Sequence, residues 1–141
     1  MQKNSPIFII DKVTVKFRGT FMKYDFIENV LKTLNSTPDI TSSAVISTDG
    51  LPIASALQSG MDEDRIGAMA AALLSLGNRS AKEVLKGTLD NTIIHTDKGY
   101  MLLFQASEAI LLTITTTHEA KLGLILFEAK RALKELADHF D

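Results

Sequence analysis

The chain has 141 residues, a length for one domain, and contains no cysteine, which excludes disulfides, zinc–thiolate sites and thiol nucleophiles. Hydrophobic residues make up 45% and charged residues 23%, so a core can form without staples. The net charge of −2 argues against polyanion binding by bulk charge, and neither Gly67–Asn78 nor Ile7–Ile10 is long enough for a bilayer span or a signal-peptide core. Nucleic acid and membrane insertion are therefore not expected, and the lack of thiols fits a cytoplasmic setting.

Residues 1–23 form a leading extension with Lys3, Lys12, Lys16, Arg18 and Lys23 against Asp11, a net of +4 that leaves −6 on the rest. This basic segment is either a solvated face or an arm for an acidic surface. It reads as extended. Val13, Val15 and Phe17 alternate with Thr14, Lys16 and Arg18, and Ile7–Ile10 is a candidate partner strand across an Asp11-Lys12 turn.

Residues 24–141 carry the main domain. Asp25–Leu34 predicts a helix with Phe26, Ile27, Val30, Leu31 and Leu34 on one face, stopped by Asn35–Asp39 around Pro38. Ile40–Ser47 and Leu51–Leu57 predict two strands joined by Thr48-Asp49-Gly50, a hairpin turn in which Asp49 and Gly50 have no role beyond turning the chain. Ser59–Asp64 launches a long helix reaching Lys86, with acidic residues in its first turn and Gly87 as its left-handed stop. Strands over Asp90–Thr96, Gly99–Ala106 and Ala109–Thr115 follow, with connections short enough to force antiparallel neighbours. Thr116-x-x-Glu119 predicts a capping box for a last helix running to about Phe140, with Leu122, Leu126, Ala129, Leu133, Leu136 and Phe140 along it. Five antiparallel strands with helices against them make an α+β sandwich.

The run Ser43–Ser55 resembles the hairpin signature of the Roadblock family (the dynein light chain Roadblock type and MglB-like domains), and Ala120–Leu124 resembles a second recurring piece. The element order over residues 24–140 agrees, whereas residues 1–23 lie outside the family pattern. The resemblance implies a profilin-like or longin-like fold with sheet order 2-1-5-4-3 and the middle helix alone on one face. It also implies dimers that pair third strands and middle helices, and a role as a GTPase regulator or scaffold.

The residues argue for a dimer independently. Ile66, Ala70, Leu73, Gly77 and Val84 suffice to cover a sheet, yet Ala68, Ala71, Ala72, Ser75 and Leu76 continue around the helix. A helix apolar nearly all round needs cover on both sides, from a symmetric partner or from the leading segment. The strand around Thr92, Ile93, Ile94 and His95 has no proline or lysine to blunt an edge, so at an edge it would pair with its own copy; a central position is the alternative.

Motifs for chemistry are missing: there is no P-loop, GxGxxG or GxSxG pattern. The three histidines, His95, His118 and His139, are scattered, and no metal site or cofactor is expected. Arg65 and Arg79 have local acidic neighbours in Asp62 and Glu83, which argues against an inserted catalytic arginine. The expected function is a non-catalytic homodimeric platform. By the resemblance, a small Ras-like GTPase would dock near Asp62, Glu63, Arg65, Met69, Asn78, Arg79 and Lys82. The alternatives are a structural adaptor without nucleotide-linked behaviour, which a leading strand could serve by sheet augmentation, and a small-ligand site, which would need a deep polar pocket.

Overall fold

A computed structural model of the chain describes residues 8–10, 13–15 and 18–140, with side chains from Asp25 to His139. Among these residues, seven strands and three helices follow in the order β1 (Phe8–Ile10), β2 (Val13–Val15), α1 (Arg18–Asn35), β3 (Ile40–Ser47), β4 (Pro52–Ala56), α2 (Glu63–Glu83), β5 (Thr92–Thr96), β6 (Gly99–Gln105), β7 (Ile110–Thr116) and α3 (Leu122–Phe140). The main sheet is antiparallel with order β4-β3-β7-β6-β5, the expected 2-1-5-4-3 once its five strands are counted alone. β5 is therefore an edge strand, not a central one.

Alternation along each central strand splits the core in two, because successive side chains point to opposite faces. Val45, Leu102, Phe104, Leu112 and Ile114 meet Ile27, Val30, Leu31 and Leu34 of α1 and Ile125, Ala129, Ala132 and Leu136 of α3. Ala44, Ile46, Leu103 and Leu111 meet Ala70 and Leu74 of α2 on the other face. The rings of Phe26 and His139 stack 3.6 Å apart and tie α1 to the end of α3. Buried polar groups on the central strands are satisfied locally: Ser43 donates to Asn35, whose amide donates to the Ala56 carbonyl, and Thr113 donates to the Leu102 carbonyl.

Several boundaries differ from the sequence expectations. The leading segment pairs as foreseen, with Ile10 opposite Val13, but residues 18–23 are helical rather than extended. No proline intervenes, and the buried face from Ile27 onward lets the helix propagate backward. The Asp11-Lys12 turn, Ile7, Lys16 and Phe17 lie outside the described residues.

α2 starts at Glu63, not near Ser59, because Gly60 adopts φ 91° and Asp62 is the true cap, accepting from the Asp64 and Arg65 amides at 3.0 and 3.2 Å. At its far end the left-handed residue is Lys86 (φ 56°), not Gly87, whose amide instead donates to the Ala81 carbonyl. The capping box is also absent. Thr116 ends β7 and its hydroxyl serves the Tyr100 amide and the Thr117 carbonyl; Thr117 accepts from the Glu119 amide in a turn before α3. On α3 the buried line is Ile125, Ala129, Ala132 and Leu136, while Leu122, Leu126 and Leu133 flank it.

Gly50 takes φ 92° in the β3–β4 turn, as an Asp-Gly hairpin requires, and α2 lies directly on this turn. A Cβ on Gly67 would sit 2.6 Å from the Gly50 carbonyl oxygen, a backbone atom that cannot step aside. Gly67→Ala is therefore expected to destabilise the fold by about 1–3 kcal/mol despite its better helix propensity. Gly123→Ala meets nothing within 4 Å and should stabilise by up to about 1 kcal/mol. Urea unfolding midpoints for the two variants should move in opposite directions. Separately, Asp62→Ala removes the α2 cap and should cost about 1 kcal/mol by the same measurement, with Asp62→Asn close to wild type.

Candidate functional site

α2 crosses its sheet face obliquely, and its small residues set the path. Gly67 rests on the β3–β4 turn, Ala70 and Leu74 sit over β3, β6 and β7, and Gly77 reaches β5, where a Cβ would lie 2.9 Å from the Thr92 hydroxyl. At 100° per residue, the buried residues Gly67, Ala70, Leu74 and Ala81 define the inner side of the helix. Arg65, Ala68, Ala72, Ser75 and Arg79 then line the outer side, and all five are exposed. Between these sides runs a flank with Ile66, Met69, Leu73, Leu76 and Val84 at heptad-like spacing.

That flank holds the large exposed apolar groups. Met69 is 57% exposed, Leu76 61% and Val84 75%. The helical spacing predicts Val84 on the sheet-covering stripe; in the structure it is the C-cap of α2 and lies outside the core. Ala71 is half-buried, packed near Gly50, and so belongs to the turn contact more than to a free face.

The edge strand is as open as its sequence suggested. β5 pairs only with β6, Ile93 is 37% exposed, and the His95 ring stacks on Tyr100 with centroids 4.3 Å apart. Thr92 and Ile94 lie on the α2 face, opposite Leu103 and Met101, while Ile93 and His95 take the other face. The Thr92 hydroxyl is buried against α2 without a hydrogen-bond partner.

α2 covers the Thr92 end of β5 and leaves the Thr96 end bare. The uncovered part of the sheet is a cleft of about 520 Å³ with Ile94, Met101, Met61 and Thr115 among its lining residues and Lys98, His118 and Glu119 at its margin. Thr41 and Thr115 share a hydrogen bond of 2.8 Å on its floor. His118 is an exposed turn residue at this rim. A second, smaller cleft on the opposite flank of α2 brings Asn78 and Lys82 beside Gln105 and Glu108, with Asn78 donating to Gln105 at 3.4 Å.

The charged residues singled out in the sequence therefore do not form one cluster. Asp62 is occupied as a cap, and Glu63 turns inward to accept from the Ser55 hydroxyl. Arg79 pairs with Glu83 at 3.3 Å, the local partner expected of it, while Arg65 stands at the other end of the outer face. Asn78 and Lys82 look toward the second cleft. Among the described residues no group of three His, Asp or Glu side chains could hold a metal ion, and no helix is long and apolar enough to cross a membrane. The open cleft escaped the sequence reading because it arises from the crossing path of α2. The spacing holds this flank too, but spread over three sets: Ile66, Leu73 and Val84 in the sheet-covering stripe, Leu76 in the outer one, and Met69 among the docking residues.

Residues 26–116 match the Roadblock/LC7 domain. Two uncharacterized proteins of Methanocaldococcus jannaschii, MJ1340 and MJ0310, are each 40% identical over 114 residues, covering 81% of this chain and 99% of theirs. Among solved structures, Myxococcus xanthus MglB superposes with a TM-score of 0.78 at 19% identity, over 83% of this chain and 89% of that one. A Roadblock/LC7 domain from Streptomyces avermitilis gives 0.75 at 20% identity, over 80% and 96% respectively. With its sheet order, its lone helix on one face and these matches in agreement, the chain belongs to the Roadblock/LC7 family.

Proposed function

We propose that this protein is a non-catalytic, cytoplasmic homodimer that binds and regulates a small Ras-like GTPase. The observation that carries the reading is the side-by-side exposure, on one end of one molecule, of an unblunted edge strand and an apolar helix flank. Exposed β5 leaves a row of backbone donors and acceptors unpaired, and Met69, Leu76 and Val84 leave large apolar groups in water. A second copy related by a two-fold axis satisfies both at once, continuing the sheet through β5 and pairing the α2 helices. The outer sides of the two helices, each with Arg65 and Arg79 around Ala68, Ala72 and Ser75, then form a broad shared platform.

A GTPase on this platform would keep its own catalytic groups. The dimer would act by binding one arrangement of the switch segments more tightly than another, which is the only way a ligand shifts such an equilibrium. Of the two outer-face arginines, Arg79 has a local partner in Glu83.

One observation favours an adaptor as the second reading. On the far face of the molecule, α3 exposes Leu124 and Phe127, the latter to 66%, on one turn. Beside them Arg131 donates to Glu128, and that bond and charge hold the guanidinium above its ordinary pKa. A surface so far from α2 suits a protein that holds a second, nucleotide-independent partner.

Leu76→Glu tests the helix pairing, because Leu76 is exposed on the α2 flank and takes no part in the core. Sedimentation should show a dimer for the wild type and a dissociation constant raised roughly 30-fold or more for Leu76→Glu, the effect of about 2 kcal/mol at a packed interface residue. A wild-type monomer at micromolar concentration would remove the dimer. For the partner, the purified protein should bind and change the GTP hydrolysis rate of a Ras-like GTPase from the same organism. If none binds, and captured partners are indifferent to nucleotide, the adaptor reading replaces it.

A further inference from the structure

We infer that the outer face of α3 is a docking surface for an acidic amphipathic helix of a partner protein. This inference rests on the adaptor reading, in which α3 holds a partner, and adds the chemistry of that partner.

α3 turns one side to the core and leaves the other uncovered. Ile125, Ala129, Ala132 and Leu136 define the inner side. At 100° per residue, Phe127, Lys130 and Lys134 point nearly the opposite way, with Leu124 and Arg131 beside them, and all five are exposed. Leu124 (42%) and Phe127 (66%) are neighbours at i, i+3 and form one apolar ridge in water. Among the described side chains no other phenylalanine is exposed. A Cβ on Gly123, one turn before Phe127, would meet nothing within 4 Å, so the approach to the ridge is open.

The charges around the ridge have the sign opposite to that of the domain. Residues 24–141 carry a net −6, whereas the exposed side of α3 sets Lys130, Arg131 and Lys134 against Asp138. Arg131 is already engaged by Glu128. Lys130 and Lys134 have no ion-pair partner among the described residues. They stand one turn apart, and Lys134 lies about 10 Å of helix beyond Phe127. A ligand that covers the ridge and continues along α3 therefore meets two free ammonium groups. Carboxylates answer them, while a basic ligand is repelled. The acidic remainder of the domain turns an acidic partner away from every other side, which steers it to this one.

The same surface selects the partner's backbone. α3 is a continuous helix, so its inner amides and carbonyls bond to one another and offer nothing to an extended peptide. A strand laid on Leu124 and Phe127 would bury backbone groups without partners, whereas a helix arrives with its own satisfied. An anionic bilayer is broader than one helix and would also face the acidic remainder of the domain.

A phage library of random peptides of roughly 16 residues, about 24 Å as a helix, tests the assignment. It is depleted on a variant carrying Phe127→Ser, Lys130→Ser and Lys134→Ser, all exposed positions, whose circular dichroism matches wild type, and is then selected on wild type. The retained peptides should carry more Asp and Glu than Lys and Arg, with apolar residues at i, i+3 and i+4. By fluorescence anisotropy, their dissociation constants should rise about tenfold or more with Phe127→Ser, and likewise with Lys130→Glu and Lys134→Glu together. Peptides that need Phe127 but are neutral or basic would overturn the acidic assignment and leave the adaptor surface standing. Recovery of no peptide that depends on these residues would remove the surface itself. Phe127-dependent binding to phosphatidylglycerol vesicles, with no acidic peptide retained, would give this face to a membrane.

Discussion

Everything exposed on the functional side follows from how closely α2 is held at two glycines. At Gly67 the helix backbone lies on the Gly50 carbonyl, and at Gly77 it lies against Thr92 and Leu89. These two contacts are 10 residues apart, about 15 Å of helix, and they fix both its direction across the sheet and its rotation about its own axis. Rotation decides which side chains are hidden. With Gly67, Ala70 and Leu74 inward, Met69 and Leu76 have no choice but to stand on the flank. Direction decides what stays bare, because a single helix laid obliquely across five strands cannot cover the corner where β5, β6 and β7 end near Thr96 and Thr116.

The two faces of the sheet are built to different standards. On one, α1 and α3 close a core of large aliphatic residues, many with no exposed surface at all. On the other, α2 contributes Ala70 and Leu74 above Ala44, so the layers approach closely but cover little area. Close approach through small residues gives good packing over a short stretch and leaves the remainder of that face to water or to another chain. The α1/α3 face is thus closed within the chain, while the α2 face leaves part of its sheet exposed.

Much of this was legible in the sequence. Ile40–Ser47 was exact, the Asp49-Gly50 turn was right, and the β5 strand carried its edge character in Thr92, Ile93 and Ile94. Helix ends were read less well, for local reasons: Gly60 blocks an early start of α2, Lys86 accepts a left-handed conformation that glycine was expected to take, and Thr116 spends its hydroxyl on Tyr100 instead of a cap. The larger omission was the cleft. Periodicity states which side of a helix is apolar, but not the angle at which that helix crosses a sheet, and the cleft is a product of the angle alone. For the same reason the spacing of Ile66, Met69, Leu73 and Leu76 could be counted without revealing that it looks toward open sheet.

The apolar flank and the open edge could each be explained alone by ordinary surface variation, since single exposed aliphatics are common on soluble proteins. Their coincidence is harder to set aside. β5 offers hydrogen bonds in the plane of the sheet, and α2 offers apolar area one layer above it, both at the same end of the molecule. A peptide adding to β5 would use the first and leave the second wet; a helix docking on α2 would do the reverse. A partner that presents a strand and, one layer above it, a helix satisfies both. This protein's own β5 and α2 lie in two such layers, with Gly77 against Thr92, which makes a second copy the simplest body that fits.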